Sequence, residues 1–123
     1  MCVNTRILLV EDDADQAQLY TMVLSLAGYQ VTTAVDAERA AAQYAQAPVD
    51  LVLSDWNLPG MRGDQFLGTL VHAHLPVKTV LMSNHASVEH AAKCCGADAW
   101  FYKGSPLAQL KALIAGLLTP AMA

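Results

Sequence analysis

The run Ile7-Leu8-Leu9-Val10-Glu11-Asp12-Asp13 decides how the chain is read. A continuous apolar run of this length is what a strand buried on both faces looks like, and such strands belong to parallel sheets. Acidic residues follow it at once. The pattern then turns helical: Leu19, Met22, Val23 and Leu26 stand at i, i+3, i+4 and i+7 and predict an amphipathic helix packed through those four residues. Asp13 with Gln16 fits a capping pattern at its start, and Gly28 fits its stop.

The same strand-then-helix unit repeats to the end of the chain. Val31 to Val35 reads as a second strand, polar enough for a sheet edge, followed by a helix through Ala37, Ala40, Ala41 and Tyr44 with Asp36 as its cap. Leu51-Val52-Leu53 precedes a helix through Phe66, Leu67, Leu70 and Val71. Val77 to Met82 precedes a helix through Val88, Ala91, Ala92 and Cys95, which Gly96 ends. Ala99 to Tyr102 precedes a fifth helix, with Ser105 as cap, Pro106 in the first helical position, and Leu107, Leu110, Ile114 and Leu117 on one side. Alternating strands and helices with short connections predict an α/β fold: a doubly wound, five-stranded parallel sheet with helices on both faces. Residues 4–118 form that unit, and the tail 119–123 has no pattern and is expected to be disordered.

Composition agrees. The chain has 123 residues, 54% hydrophobic and 15% charged, against about 25% charged in an average soluble domain. That suits one domain with one well-filled sheet and excludes a disordered chain. Seven basic residues against 11 acidic ones, net −4, argue against direct nucleic-acid binding. The longest strongly apolar run, Ala112 to Leu118, is far short of the ~18–20 residues of a membrane span. Met1 to Arg6 does not resemble a basic segment leading into a secretory core, so a cytoplasmic location is expected. At this length a DNA-binding module beside a switch is not expected within these residues. Cys94 and Cys95 are neighbours, too close to pair, and Cys2 is isolated. All three are expected as reduced, structural thiols.

Open parallel sheets bind ligands beyond the carboxyl ends of their strands. Glu11, Asp12 and Asp13 follow the first strand, Asp55 the third, Ser83 the fourth and Lys103 the fifth. Asp13 is better explained as a helix cap. The remaining carboxylates repel one another and call for a hard divalent cation, for which Mg²⁺ (or Mn²⁺) is suited. A lysine supplies a point charge to an anion, and a hydroxyl supplies a hydrogen bond. That set serves phosphoryl transfer by positioning and charge neutralisation, and an aspartate can itself be the acceptor.

These residues resemble the receiver domains of response regulators. Val10-Glu11-Asp12-Asp13 is similar to their acidic opening, and Asp55-Trp56-Asn57-Leu58-Pro59-Gly60-Met61-Arg62-Gly63 to their phosphoacceptor loop. Val80-Leu81-Met82-Ser83 and Gly96-Ala97-Asp98-Ala99-Trp100-Phe101-Tyr102-Lys103 resemble their fourth and fifth strands. The resemblance implies a flavodoxin-like strand order, 2-1-3-4-5. It implies Asp55 as phosphoacceptor from a histidine kinase or histidine phosphotransfer protein. It places Mg²⁺ on Asp12, Asp55 and the Asn57 carbonyl, with Glu11 acting through water. It makes Lys103 the partner of the phosphoryl group, Ser83 the sensor and Trp100 the switch aromatic. A downstream protein would bind the face formed by the fourth helix, fifth strand and fifth helix, and a homodimer is allowed. The domain would assist its own phosphorylation rather than act as an enzyme on another substrate.

Three positions depart from the family pattern. Gly104 replaces the usual proline after the lysine, which predicts a trans bond and a reshaped loop, since a cis bond to a non-proline costs about 2.5–4 kcal/mol. Asn84 is larger than the usual neighbour of the hydroxyl residue and is expected to narrow access to Asp55. Trp100 is larger than the usual Tyr or Phe, which makes inward rotation harder. One alternative with the same chemistry is a relay intermediate or phosphate sink; another is a degenerate receiver acting as a constitutive binding module. No phosphate-binding glycine loop with its lysine is present. Asp55 has no second aspartate two residues on, against a phosphatase loop. His72, His74, His85 and His90 lack metal-site spacing and read as surface or packing residues.

Overall fold

The structure, a computed structural model, describes residues 5–118. Its first strand is Arg6–Val10 (β1), buried from Ile7 onward. Gln30–Ala34 (β2) flanks it on one side and Leu51–Asp55 (β3) on the other, and Lys78–Ser83 (β4) and Ala99–Tyr102 (β5) continue the sheet. All pairings are parallel, in the order β2-β1-β3-β4-β5. The connections are the helices Ala14–Leu26 (α1), Ala37–Gln46 (α2), Gly63–His72 (α3), Val88–Cys95 (α4) and Leu107–Leu118 (α5). The expected doubly wound fold and order are therefore observed. Their cause is visible in the strands: β3 exposes no residue and β4 only Lys78, so both faces need a layer of helices. The polar β2 lies at the edge, as its composition predicts.

Alternate residues of each strand feed two separate cores. Leu8, Val10, Val52 and Leu81 pack with Tyr44, Phe66, Leu67 and Ala92 beneath α2, α3 and α4. Ile7, Leu9, Leu53, Val80, Met82 and Phe101 pack with Tyr20, Leu24, Leu110 and Ile114 beneath α1 and α5.

The buried face of α1 differs from the expected one. Leu19 and Met22 are exposed and Leu26 is 84% exposed, whereas Tyr20 and Leu24 are buried and Ala17 packs beside them. Ala17, Tyr20 and Leu24 have helical spacing too, at i, i+3 and i+7. With apolar residues on more than one side of α1, periodicity alone does not choose between stripes. Ala41 on α2 is likewise exposed, and Val35 lies past the end of β2. Asp55 and Ser83 are the last residues of their strands rather than the first beyond them. Pro106 immediately precedes α5 instead of occupying its first turn. Cys94 is exposed rather than structural, whereas Cys95 is half-buried with its thiol bonded to the Ala92 carbonyl at 3.4 Å. Among the described residues no peptide bond is cis, including the one before Gly104. Cys2, the expected domain start at Asn4 and the tail 119–123 lie outside the described residues.

Candidate functional site

Strand register sets the site. Val10 pairs with Ser54, Asp55 with Met82, and Ser83 with Tyr102, so Glu11, Asp55, Ser83 and Lys103 emerge along one edge of the sheet. Glu11, Asp55 and Ser83 are buried there, and Asp12 is exposed at the rim. One carboxylate oxygen each from Glu11, Asp12 and Asp55 lies within 4.8 Å of the others.

The backbone of Asp55 is clamped on several sides. The Trp56 N–H donates to the Met82 carbonyl at 2.8 Å, and the Gly63 N–H to the Trp56 carbonyl at 2.9 Å. The buried Ser54 hydroxyl donates to the Asp55 carbonyl at 2.9 Å. Position 63 must be glycine in this arrangement, because a Cβ there would lie 1.9 Å from the Asp55 carbonyl oxygen. The loop Trp56–Arg62 is therefore drawn back onto the strand end, with Asn57 exposed within it.

Lys103 offsets part of the cluster's charge. Its Nζ donates to Glu11 Oε1 at 2.9 Å, contacts Asp55 Oδ1 at 3.1 Å and donates to Gln16 Oε1. The Tyr20 ring centroid lies 6.0 Å away. Burial pushes the Asp55 carboxyl above the usual carboxylate range, and Lys103 only partly opposes it. Burial also raises Glu11, with the Asp55 charge adding to it. Burial alone would lower Lys103. The hydrogen bond to Glu11 and the charges of Asp55 and Glu11 outweigh it, and the net shift is upward. An electron-rich pocket that resists ionisation is what a bound cation would relieve.

Ser83 Oγ accepts from the His85 N–H at 3.0 Å, and the Ser83 carbonyl accepts from the Lys103 N–H at 2.8 Å. His85 does more than cover surface. Its ring meets Trp56 edge-on, with centroids 5.8 Å apart, and its Nδ1 accepts from the Ser87 N–H at 3.0 Å. Asn84 is exposed beside them. Trp100 is separate from the acidic cluster. It is 37% exposed on β5, with Lys93 of α4 at 5.5 Å from its ring centroid.

Glu11, Asp12, Asp55 and Lys103 are thus brought together, Ser83 joins them through the backbone of Lys103, Asn57 is exposed in the loop after β3, and Trp100 is exposed on β5. Sequence reasoning missed Gln16 and Tyr20 as members of the Lys103 environment. Gln16 already had an explanation as a capping partner, and Tyr20 fell outside the chosen stripe of α1. The carboxylate set suits a hard, oxygen-preferring cation such as Mg²⁺, and the buried, raised carboxyls supply the reason to bind one.

Fold and site together define a doubly wound α/β domain with a cation-ready acidic edge and one neutralising lysine. The profile of the response regulator receiver domain matches residues 7–115, and the chain belongs to that family. Receiver domains are the signalling domains of two-component systems, and they bind Mg²⁺ at an acidic pocket. The response regulator protein FleR of Pseudomonas aeruginosa is 35% identical over 103 residues, covering 82% of this chain and 21% of FleR. The phosphate regulon regulatory protein PhoB of the same organism is 32% identical over 120 residues, covering 91% of this chain and 52% of PhoB. The chain thus spans between a fifth and about half the length of these relatives. Among solved structures, the chemotaxis protein CheY4 of Vibrio cholerae superposes with a TM-score of 0.85 at 27% identity, covering 94% of this chain and all of that one. The response regulator TrrA of Thermotoga maritima, solved in complex with Mg²⁺-BeF, gives 0.86 at 26% identity, covering 93% and 99%.

Proposed function

We propose that residues 4–118 act as a phosphorylation-gated interaction module, with Asp55 accepting a phosphoryl group from a histidine kinase or histidine phosphotransfer protein. The observation that carries this reading is the Lys103 ammonium set between Glu11 and Asp55 beside Asp12. An Asp55 carboxylate oxygen attacks phosphorus, the new O–P bond forms, and the donor's P–N bond breaks as its imidazole leaves. Lys103 neutralises the oxygens gathering on Asp55. Asp12 and Asp55, with the Asn57 carbonyl, would hold Mg²⁺ (or Mn²⁺), Glu11 acting through water, and the ion would supply further positive charge to the phosphoryl oxygens. Ser83 has one hydroxyl proton to donate to such an oxygen.

The readout surface is the face of α4, β5 and α5. Trp100 and Tyr102 are exposed there beside Val88 and Glu89, in a shallow groove of about 280 Å³. Engaging Ser83 on a phosphoryl oxygen would pull on the β4–α4 loop through its His85 contact and bias this face. The domain is proposed to act in the cytoplasm. Among the described residues no helix is long and apolar enough to cross a membrane.

The test is incubation with acetyl phosphate, with and without Mg²⁺, followed by intact mass. A phosphoryl adduct that requires Mg²⁺ and is absent from Asp55→Asn is expected. An adduct that forms without divalent cation, or that Asp55→Asn retains, overturns the reading.

A further inference from the structure

We infer that Gln16 is a positioning residue that holds the Lys103 ammonium over Asp55; the inference rests on the reading of Asp55 as phosphoacceptor. Gln16 occupies the third position of α1, where a glutamine normally turns back to the N-cap backbone and closes a capping box. Here only half of the box forms. The Gln16 N–H donates to Asp13 Oδ1 at 3.0 Å, but the Gln16 side chain turns to Lys103. The Asp13 N–H is taken instead by Glu11 Oε2 at 3.3 Å. The glutamine oxygen is thereby released from a helix-capping task and given to the site, and the cap loses no bond.

The bond completes the lysine. An ammonium has three N–H donors, and Lys103 Nζ has three oxygen partners: Glu11, Asp55 and Gln16. The first two change role when a cation and a phosphoryl group arrive. Gln16 is neutral, sits outside the carboxylate set, and keeps its contact throughout. A carboxylate in its place would compete with Asp55 for the ammonium, and an apolar side chain would leave the third donor unmatched.

The need for a tether lies in the next residue. Gly104 gives the chain after Lys103 more backbone freedom than any other residue would. A Cβ at position 104 would lie 2.4 Å from the exposed Tyr102 ring, so a side chain there requires that ring to swing aside. A flexible lysine stem on a glycine-flanked turn is then fixed from its far end, by a residue whose own backbone is capped.

The test pairs Gln16→Met, which keeps length and removes the acceptor, with Lys103→Met and the double variant. Phosphorylation by acetyl phosphate with Mg²⁺ is expected to slow about fivefold in Gln16→Met, the fold-change that corresponds to the net worth of one typical hydrogen bond. In the Lys103→Met background the same change is expected to have no further effect, because Gln16 acts through Lys103. In ammonium-selective ¹H–¹⁵N spectra the Lys103 signal of the wild type is expected to be lost in Gln16→Met at the same pH. A phosphorylated wild type matched in rate by Gln16→Met overturns this inference alone, as does an equal loss in the Lys103→Met background. A wild type that takes no phosphoryl group overturns the acceptor reading and this inference with it.

Discussion

Trp100 on β5 and Lys103 just past its end are held in contrasting ways. At Lys103 the ammonium is buried among three oxygen partners from α1, from the residue after β1, and from β3. Three residues earlier, Trp100 lies half in solvent, held on its outer side by the exposed Lys93, which also pairs with Glu89 at 2.9 Å. The first arrangement is over-determined, and losing one partner leaves buried charge exposed to its like. The second rests on surface contacts worth about 0.5–1 kcal/mol. A switch needs both. Chemistry at the acidic edge requires fixed charges, whereas a readout face must change occupancy for little energy. The contrast predicts that substitutions at the Lys103 end affect rate strongly and those at the Trp100 end affect it hardly at all.

The largest effect is expected from Lys103→Met. Removing the Lys103 ammonium from the acidic edge should slow phosphorylation by acetyl phosphate by about 10²–10³-fold, measured as initial rate by intact mass. A loss below about tenfold would break the contrast, since the buried end would then be no more committed than the exposed one.

An intermediate effect is expected from pH. Asp55 and Glu11 both have folded-state pKa values above the unfolded ones, so the protonated forms are favoured by folding. Their contribution to stability is full below the unfolded pKa and is lost as pH rises through the folded one. Mild acidification from neutrality should therefore raise the thermal midpoint of the metal-free domain. The same protonation should weaken Mg²⁺ binding at a pH above the ordinary carboxylate range, because the cation needs both carboxylates charged. Trp56 fluorescence during Mg²⁺ titration at several pH values, with a melting series beside it, checks the two opposite slopes. Slopes of the same sign would contradict the assignment.

The smallest effect is expected from Lys93→Ala. It should cost about 0.5–1 kcal/mol of stability at most and leave the phosphorylation rate within about twofold, while changing Trp100 emission. A large rate change would show that the readout face feeds back on the acidic edge more strongly than surface contacts allow.

Much of this was legible in the sequence, for identifiable reasons. Buried parallel strands leave continuous apolar runs such as Ile7–Val10, and ligand-binding residues follow such runs, so Glu11, Asp12, Asp55 and Lys103 stand out in the sequence itself. The buried side of α1 was not legible, because Leu19 and Met22 match helical spacing as well as Tyr20 and Leu24 do. Burial there is decided by what α1 packs on: the inner face of the sheet and α5. Gln16 stayed hidden because a local pattern accounted for it, and its actual partner lies 87 residues away. The outward setting of Trp100 follows the alternation of β5, and its neighbour Lys93 lies on the preceding α4.

The central claim is that Asp55, and not another carboxylate of the cluster, receives the phosphoryl group. Reduction of the phosphorylated domain with borohydride converts the acyl phosphate to homoserine, and peptide mass mapping then locates it. The arrangement of Lys103 between Glu11 and Asp55 predicts homoserine at position 55 in the Mg²⁺-treated sample and at no other acidic residue. Homoserine at position 11 or 12, or none after phosphoryl-donor treatment, would contradict it.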